Sequence, residues 1–224
     1  MSTSSNLVLF DIDGTLLLCG RVSMKCLKSA FCKITGHTFP ECVMPAGKTD
    51  PLIVREAFGE INFPKRDWVE TEQLILRKYA RLLEESEDEL KEASTLLPGV
   101  DKLLLYLSKR DIPMALLTGN MESTARKKLD VFNLNRYFPV GGFGSDCADR
   151  NRLARIALER ACRHYGKKFE PGARVSIQID FGRGRIAFGY NGENLNRAFA
   201  GIKGPLRLAV SGRGEHTVEV EPVP

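Results

Sequence analysis

The stretch LVLFDIDGTLL, residues 7–17, decides the fold expected of this chain of 224 residues. Its four leading apolar residues, which include β-branched Val8 and aromatic Phe10, are typical of a strand buried on both faces of a parallel sheet. Asp11 and Asp13 follow at the carboxyl end of that strand, where open α/β sheets bind ligands. Neighbouring carboxylates repel each other unless a cation relieves them, and Mg²⁺ prefers oxygen ligands. The stretch therefore predicts an α/β fold with a parallel sheet and a magnesium site.

A lone D-x-D pair is also compatible with a solvated turn, but its surroundings are more specific. The apolar strand, the D-I-D-G-T sequence and the following leucines resemble the first motif of the haloacid dehalogenase-like (HAD) hydrolases. This resemblance implies that Asp11 is the nucleophile that accepts a phosphoryl group and that Asp13 is the general acid and base. It also implies that Mg²⁺ is bound by Asp11 and by the backbone carbonyl of Asp13. A carboxylate can form an aspartyl-phosphate that water later hydrolyses, so the residue types suit this chemistry.

Composition restricts the classes of partner. The net charge of +5 is modest and the basic residues are spread along the chain, which argues against nucleic acid as a partner. Six cysteines without a C-x-x-C pair, and an N-terminus without a signal-peptide pattern, predict reduced thiols and a cytoplasmic location. No apolar run approaches the roughly 20 residues that span a bilayer, so we expect no membrane insertion.

Apolar residues at helical spacing over 22–34, 51–58 and 68–83 predict three helices after the first strand. An acidic run at 84–92 predicts a solvated helix face that leads back through Leu97-Pro98-Gly99. A helical insertion at this place resembles the cap of the phosphoglycolate-phosphatase-like branch of the family. The resemblance implies a HAD-like core over residues 1–18 and 97–174, and a helical cap over 19–96.

The segment AGKTDPLIVREAF, residues 46–58, resembles the cap motif of that branch. The resemblance implies that Lys48 and Thr49 approach the substrate, together with Asp50. The alternative is a capped surface helix, in which Asp50 and Pro51 form the N-cap and the first turn. The two interpretations have equal weight at this point.

A second buried strand is predicted over 113–117, and it is followed by Thr118, Gly119 and Asn120. This arrangement resembles the second HAD motif, whose strand-end hydroxyl donates a hydrogen bond to a phosphate oxygen. A hydroxyl group and exposed N–H groups at the start of a helix form an anion site on physical grounds alone. The alternative for Thr118 is an ordinary helix N-cap.

The third motif requires a cation at the start of a helix. Residues 143–161 read FGSDCADRNRLARIALERA, a glycine-bounded loop followed by a periodic helix, and Arg150 is the natural candidate. Many family members carry lysine here, but arginine keeps the charge and its planar fork suits phosphate. Arg152 and Arg155 are predicted to be surface charges.

The fourth motif is incomplete. A strand-like segment at 175–179 ends at Asp180, which the resemblance makes the third metal ligand, but the second acid of the motif is replaced by Gly184. A second strand-like segment at 185–190 and the turn signal Asn191-Gly192 follow instead of a helix. A β-hairpin explains Asp180 at least as well as metal ligation does, and the pattern predicts an all-β tail.

Residues 177–211 resemble the C-terminal half of a SPRY domain, a β-sandwich that binds peptides through its loops. The resemblance covers a tail of about residues 175–224. The main hypothesis is a Mg²⁺-dependent phosphomonoester hydrolase that acts on a small phosphorylated substrate through an aspartyl-phosphate. The alternative is a catalytically inactive or chimeric protein whose tail binds a protein partner, or self-associates through unpaired strand edges.

Overall fold

A computed structural model describes residues 7–169, and beyond them the backbone of 175–180, 185–190 and 193–194. None of the helices in these ranges has both the length and the apolar composition needed to cross a membrane. The helices and strands follow in chain order: β1 (Val8–Phe10), β2 (Leu17–Leu18), α1 (Val22–Thr35), α2 (Asp50–Glu60), α3 (Trp68–Glu85), α4 (Glu87–Ala93), β3 (Thr95–Leu96), α5 (Val100–Ser108), β4 (Met114–Leu117), α6 (Glu122–Asp130), β5 (Gly141–Gly142), α7 (Arg150–Tyr165), β6 (Val175–Asp180), β7 (Arg185–Tyr190) and β8 (Glu193–Asn194).

The central sheet is parallel, with β4 between β1 and β5. Phe10 pairs with Leu116, so the turns that follow β1 and β4 meet at the same edge of the sheet. All four residues of β4 are buried, as a strand covered on both faces requires. In β1 only Phe10 is buried, because this strand has a single neighbour among the described strands. The prediction of burial on both faces therefore holds for β4 but not for β1. The parallel α/β fold is confirmed.

Helix α7 covers one face of this sheet through small residues. Ala115 of β4 and Ala161 of α7 are fully buried against each other's element, and Leu158 and Phe169 pack at the same place. Small side chains let the helix backbone approach the strands closely. This contact fixes Arg150, the first residue of α7, near the carboxyl edge of the sheet.

The helical segment α1–α4 leaves and rejoins the sheet region at one point, because β2 pairs antiparallel with β3 through Leu17 and Leu96. The helices predicted over 22–34, 51–58 and 68–83 are confirmed as α1, α2 and α3. Their apolar faces meet in an aromatic cluster in which Phe58 stacks on Phe63 at 4.8 Å. Burial of one such side chain contributes about 1.5–3 kcal/mol. The division into core and cap remains a prediction.

The described part of the tail is the antiparallel sheet β6–β7–β8, in which Val175 pairs with Tyr190 and Asp180 with Arg185. The turn predicted at Asn191-Gly192 and the remaining tail residues lie outside the described residues. The all-β character of the whole tail therefore remains a prediction.

Candidate active site

The turn after β1 places two acids outside the core. Ile12 is fully buried, so Asp11 and Asp13 on either side of it both leave the core. Gly14 adopts a φ of 77°, and its N–H donates to the Leu17 carbonyl at 3.0 Å. Only glycine adopts this left-handed conformation without strain. The closed turn holds both carboxylates at the carboxyl end of β1.

Asp11 is paired with Arg150, the candidate cation of the third motif. The Arg150 Nη2 lies 2.5 Å from Asp11 Oδ2, and the N–H of Ile12 donates to Asp11 Oδ1 at 2.8 Å. Both charged side chains remain about a quarter exposed, at 27% for Arg150 and 25% for Asp11. The guanidinium therefore neutralises the carboxylate in a place that a ligand can still reach.

Asn120 joins Asp13 to Thr118. Its Nδ2 donates to Asp13 Oδ2 at 2.7 Å and to Thr118 Oγ1 at 2.8 Å. Thr118 is fully buried, and because its oxygen accepts from Asn120, its own O–H remains able to donate to another acceptor. The strand-end residues of β1 and β4 thus form one hydrogen-bonded group.

Lys128 completes this group, and the sequence analysis missed it. Its ammonium donates to both oxygens of Asp13, at 3.0 and 2.8 Å, and to Asn120 Oδ1 at 2.7 Å. The side chain is 3% exposed, whereas that of Asp13 is 47% exposed. The sequence contained a signal for this burial, because Lys128 lies three positions after Ala125 and directly before Leu129, on the buried face of α6.

The pair of Lys128 and Asp13 is ionised on both sides. Burial lowers the pKa of Lys128, but the neighbouring acids, Asp13 above all, outweigh this and raise it beyond its ordinary value. Partial burial raises the pKa of Asp13, but the Lys128 charge and the hydrogen bonds from Lys128 and Asn120 lower it overall. Asp13 is therefore a carboxylate at neutral pH in this arrangement.

The residues of the predicted cap motif serve the protein's own contacts. Thr49, which is fully buried, is the N-cap of α2; its hydroxyl accepts from the Leu52 N–H at 3.3 Å and donates to the Ala148 carbonyl at 2.9 Å. Lys48 forms an ion pair with Glu56 at 2.5 Å. The N-cap is thus Thr49 and not Asp50, because the Thr49 backbone is extended while Asp50 is already helical. The capped-helix alternative describes Thr49 in this structure.

Gly119 lies directly against the backbone of Lys48. A Cβ at Gly119 would lie 2.1 Å from the Lys48 carbonyl oxygen and 3.1 Å from the Thr49 Cα. Because both neighbours are backbone atoms, a side chain fits only if α2 moves away from the 118–121 loop.

We therefore expect Gly119→Ala to lower the free energy of unfolding by about 1–3 kcal/mol, as overpacking does. Urea unfolding measures this. The matched control is Gly59→Ala, since no atom lies within 4 Å of that Cβ position near the end of α2. There alanine should stabilise by about 0.5–1 kcal/mol. Equal stability of the Gly119→Ala and wild-type proteins would contradict the close contact.

Asp50 is buried at the start of α2, and its carboxylate accepts from the Met121 N–H at 2.9 Å. Burial raises its pKa from 3.8 to about 6, against the opposing effect of the Lys128 charge. Between these two pH values the folded protein holds a proton that the unfolded chain has lost. The contribution of Asp50 to stability is therefore complete below about pH 4 and declines as the pH rises through 6.

We expect wild-type stability, relative to Asp50→Asn, to fall by up to about 3 kcal/mol between pH 4 and pH 7.5, the free energy of a shift of about two units. Asparagine can accept the same hydrogen bond without the charge. Urea unfolding at both pH values gives the difference. The control is Asp101→Asn, an exposed acid in the first turn of α5. A difference that is constant or that grows with pH would contradict the assignment.

The described residues do not complete a magnesium shell. Asp11 and Asp13 are each bound by a cation, and the described ranges contain no group of three or more His, Cys, Asp or Glu residues placed to hold a metal ion. The nearby loop acid Asp146 is engaged by Arg160 through two contacts of 2.7 Å. The side chain of Asp180, the third predicted ligand, lies outside the described residues.

Comparison with known proteins gives the family. The sequence profile of the haloacid dehalogenase-like hydrolases matches residues 6–175. The chain belongs to this family. A phosphoglycolate phosphatase of Pseudomonas fluorescens (strain Pf0-1) is 31% identical over 144 residues, which cover 61% of this chain and 50% of the relative. The chain thus spans about half the length of the curated relatives that it matches.

Solved structures show the same fold. A hydrolase from Pseudomonas syringae superposes with a TM-score of 0.54 at 20% identity, covering 71% of both chains. CbbY from Rhodobacter sphaeroides, in complex with phosphate, gives a TM-score of 0.54 at 16% identity and covers 71% of this chain and 73% of its own. These likenesses establish the HAD-like fold of the chain.

A second family profile, that of the SPRY domain, matches residues 143–222 and overlaps the first between 143 and 175. Within the overlap, α7 is a helix that packs on the parallel sheet through Ala161. Residues 150–165 therefore belong to the HAD-like fold, and beyond them the SPRY match covers the tail.

Proposed function

We propose that this HAD-family chain is a phosphomonoester hydrolase in which Asp11 forms an aspartyl-phosphate. The observation that carries the proposal is the arrangement at the carboxyl edge of the sheet. An accessible carboxylate, Asp11, is held by Arg150, and a second carboxylate, Asp13, is held by Asn120 and Lys128. Nucleophile, acid–base group and oxygen-binding cation are thereby close together.

In the first step, the carboxylate of Asp11 attacks phosphorus and the bond from phosphorus to the ester oxygen breaks. Asp13 gives a proton to that leaving oxygen, so that an alcohol departs. Arg150 and the free O–H of Thr118 hold non-bridging oxygens, with the Gly119 N–H as a further donor. The Asn120 N–H donates to Thr118 Oγ1 at 3.3 Å, so Asn120 contributes by orienting this hydroxyl. A bound dianionic phosphoryl group raises the pKa of Asp13 by repulsion, so that Asp13 takes up a proton from solvent when substrate binds and gives this proton to the leaving oxygen.

In the second step, water attacks phosphorus and the acyl phosphate bond breaks. Asp13, again a carboxylate, accepts the proton of this water, and inorganic phosphate and the Asp11 carboxylate are released. Lys128 favours the ionised form of Asp13 that this step needs.

We also propose a requirement for Mg²⁺, with Asp11, the backbone carbonyl of Asp13 and Asp180 as its protein ligands. The support is the Asp11 carboxylate and the Asp13 backbone carbonyl at the end of β1, since Mg²⁺ prefers oxygen ligands. Because the described residues supply only these two, we expect weak binding in which water fills the remaining positions. No step above depends on the metal.

The proposed substrate is a small phosphorylated molecule, and the phosphoglycolate phosphatase relatives make 2-phosphoglycolate the first to test. We propose that the segment of residues 19–96 acts as the cap and that Lys48 faces the substrate. Thr49 contributes through its backbone, since its hydroxyl is occupied.

The test is release of inorganic phosphate from 4-nitrophenyl phosphate and from 2-phosphoglycolate, with Mg²⁺ and with a chelator. We expect turnover of at least one substrate with Mg²⁺ and a marked loss with chelator. A folded protein that releases no phosphate under either condition would refute the proposed activity.

A second candidate function is binding of a protein partner by the tail of residues 175–224, in a chain without catalysis. The SPRY match to residues 143–222 and the replacement of the second acid of the fourth motif by Gly184 favour it. The second candidate requires that the intact chain show no turnover. It also requires that the chain either self-associate, which light scattering measures, or capture a peptide.

A further inference from the structure

Thr49 and Asp50 contact both loops that carry the proposed oxygen-binding groups. The Asp50 N–H donates to the Gly119 carbonyl at 2.9 Å, and the Met121 N–H donates to Asp50 Oδ2 at 2.9 Å. The hydroxyl of Thr49 donates to the carbonyl of Ala148, two residues before Arg150. The start of α2 is therefore hydrogen-bonded to the 118–121 loop at Gly119 and at Met121, and it also contacts the loop before α7.

Helix α6 is capped by side chains of other segments: Asp50 accepts from the Met121 N–H at 2.9 Å, and Ser145 Oγ accepts from the Glu122 N–H at 3.2 Å. Its own N-cap residue, Met121, provides no side-chain hydrogen bond. The first N–H groups of a helix lack partners within it, and an acid near them is stabilised by the helix dipole. The carboxylate of Asp50, which comes from α2, takes the place of the missing cap.

Asp50 is unsuited to direct contact with a substrate. It is 7% exposed, and both its N–H and its Oδ2 are engaged by the 118–121 loop. The hydrogen bonds of Asp50 reach the site through that loop, and its charge also acts on Lys128 and Asp13. The same loop contains Asn120, whose hydrogen bonds of 2.7 and 2.8 Å orient Asp13 and Thr118.

We propose that Asp50 is a positioning residue that keeps the 118–121 loop in its phosphate-binding shape and acts through Thr118 and Asn120. This inference rests on the proposed phosphatase function. Misplacement of reacting groups by about 1 Å can lower turnover about a hundredfold, so loss of one loop contact has a measurable effect. The binding constant of a phosphate analogue should respond as well.

The experiment compares Asp50→Ala and Asp50→Asn with Glu122→Ala. Glu122 is the matched control because it is an acid in the first turn of α6, its side chain is 51% exposed, and this side chain pairs with Arg126. The readouts are kcat and KM for 4-nitrophenyl phosphate and the inhibition constant of orthovanadate. These two constants, KM and the inhibition constant, do not depend on the fraction of protein that is folded.

We expect Asp50→Ala to raise the inhibition constant of orthovanadate by about tenfold or more and to lower kcat by about tenfold to a hundredfold. Asp50→Asn should remain within about threefold of wild type, because its amide oxygen still accepts from the Met121 N–H. Glu122→Ala should leave both values unchanged. If Asp50→Ala does not fold, Asp50→Ser replaces it, since the serine hydroxyl is shorter and does not reach the Met121 N–H.

Hydrogen exchange of the Met121 amide provides an independent readout, which should be faster in Asp50→Ala than in Glu122→Ala. An unchanged orthovanadate constant in an active Asp50→Ala variant would overturn the inference. An inactive wild-type protein that does not bind orthovanadate would instead refute the proposed function, so the two failures are distinguishable.

Discussion

Replacement of Asp11 by asparagine is expected to lower phosphatase turnover by at least about 10³-fold, the scale seen when a covalent nucleophile is lost. The neutral amide is a poor nucleophile, and it leaves the Arg150 guanidinium without its charged partner at 2.5 Å. Steady-state hydrolysis of 4-nitrophenyl phosphate measures the loss. Acid quenching during turnover should trap a phosphorylated wild-type protein and no phosphorylated variant.

The control for this experiment is Asp101→Asn, which removes an exposed aspartate in the first turn of α5. It should change turnover by less than about twofold, since surface substitutions away from a site have small effects. Near-wild-type activity of Asp11→Asn, or a phosphorylated form of that variant, would assign the nucleophile to another residue.

Replacement of Lys128 by methionine is the second large effect. The change removes a buried ammonium and leaves Asp13 and the Asn120 carbonyl oxygen without their shared donor. Breaking a buried ion pair costs about 3–5 kcal/mol, and because Asp13 is 47% exposed we expect the lower end, about 3 kcal/mol. Turnover should also fall by about 10²-fold, the contribution of a positioned acid–base group.

The neighbouring Lys127 provides a matched control. It forms an ion pair with Glu87 at 2.7 Å, away from the acids of the site, and its side chain is 25% exposed. Lys127→Met should cost about 1 kcal/mol or less and leave turnover unchanged. Urea unfolding and initial rates on both variants make the comparison. If the two variants are equally stable and equally active, Lys128 has no role at the site.

Local sequence was sufficient for the elements and for the two acids after β1. An apolar run that ends in D-I-D-G needs no distant partner to define a strand end and a tight turn, because Ile12 faces the core and Gly14 supplies the left-handed conformation. The helices α1, α2 and α3 followed from the spacing of their apolar residues alone. Arg150 could be chosen because it is the first residue of the periodic helix, whereas Arg152 and Arg155 lie further along it.

Tertiary packing decided the partners of these residues. Lys128 lies 115 positions from Asp13 in the sequence, and a lysine in a helix is solvated unless packing buries it. Lys128 is buried because it lies on the face of α6 that packs against the protein, while the opposite face meets solvent. The apolar composition of its neighbours alone does not determine which face is buried. The lesser exposure of β4 compared with β1 likewise depends on which strands lie on either side.

The sequence also could not distinguish a substrate-binding motif from a structural one. The segment around Thr49 fits both interpretations, since a hydroxyl that donates to a phosphate and one that donates to the Ala148 carbonyl belong to the same residue type. Sequence determined the residues able to form hydrogen bonds, ion pairs and turns. Only the tertiary structure determined which of these groups already have a partner, because long-range contacts depend on how separate elements pack and not on local spacing.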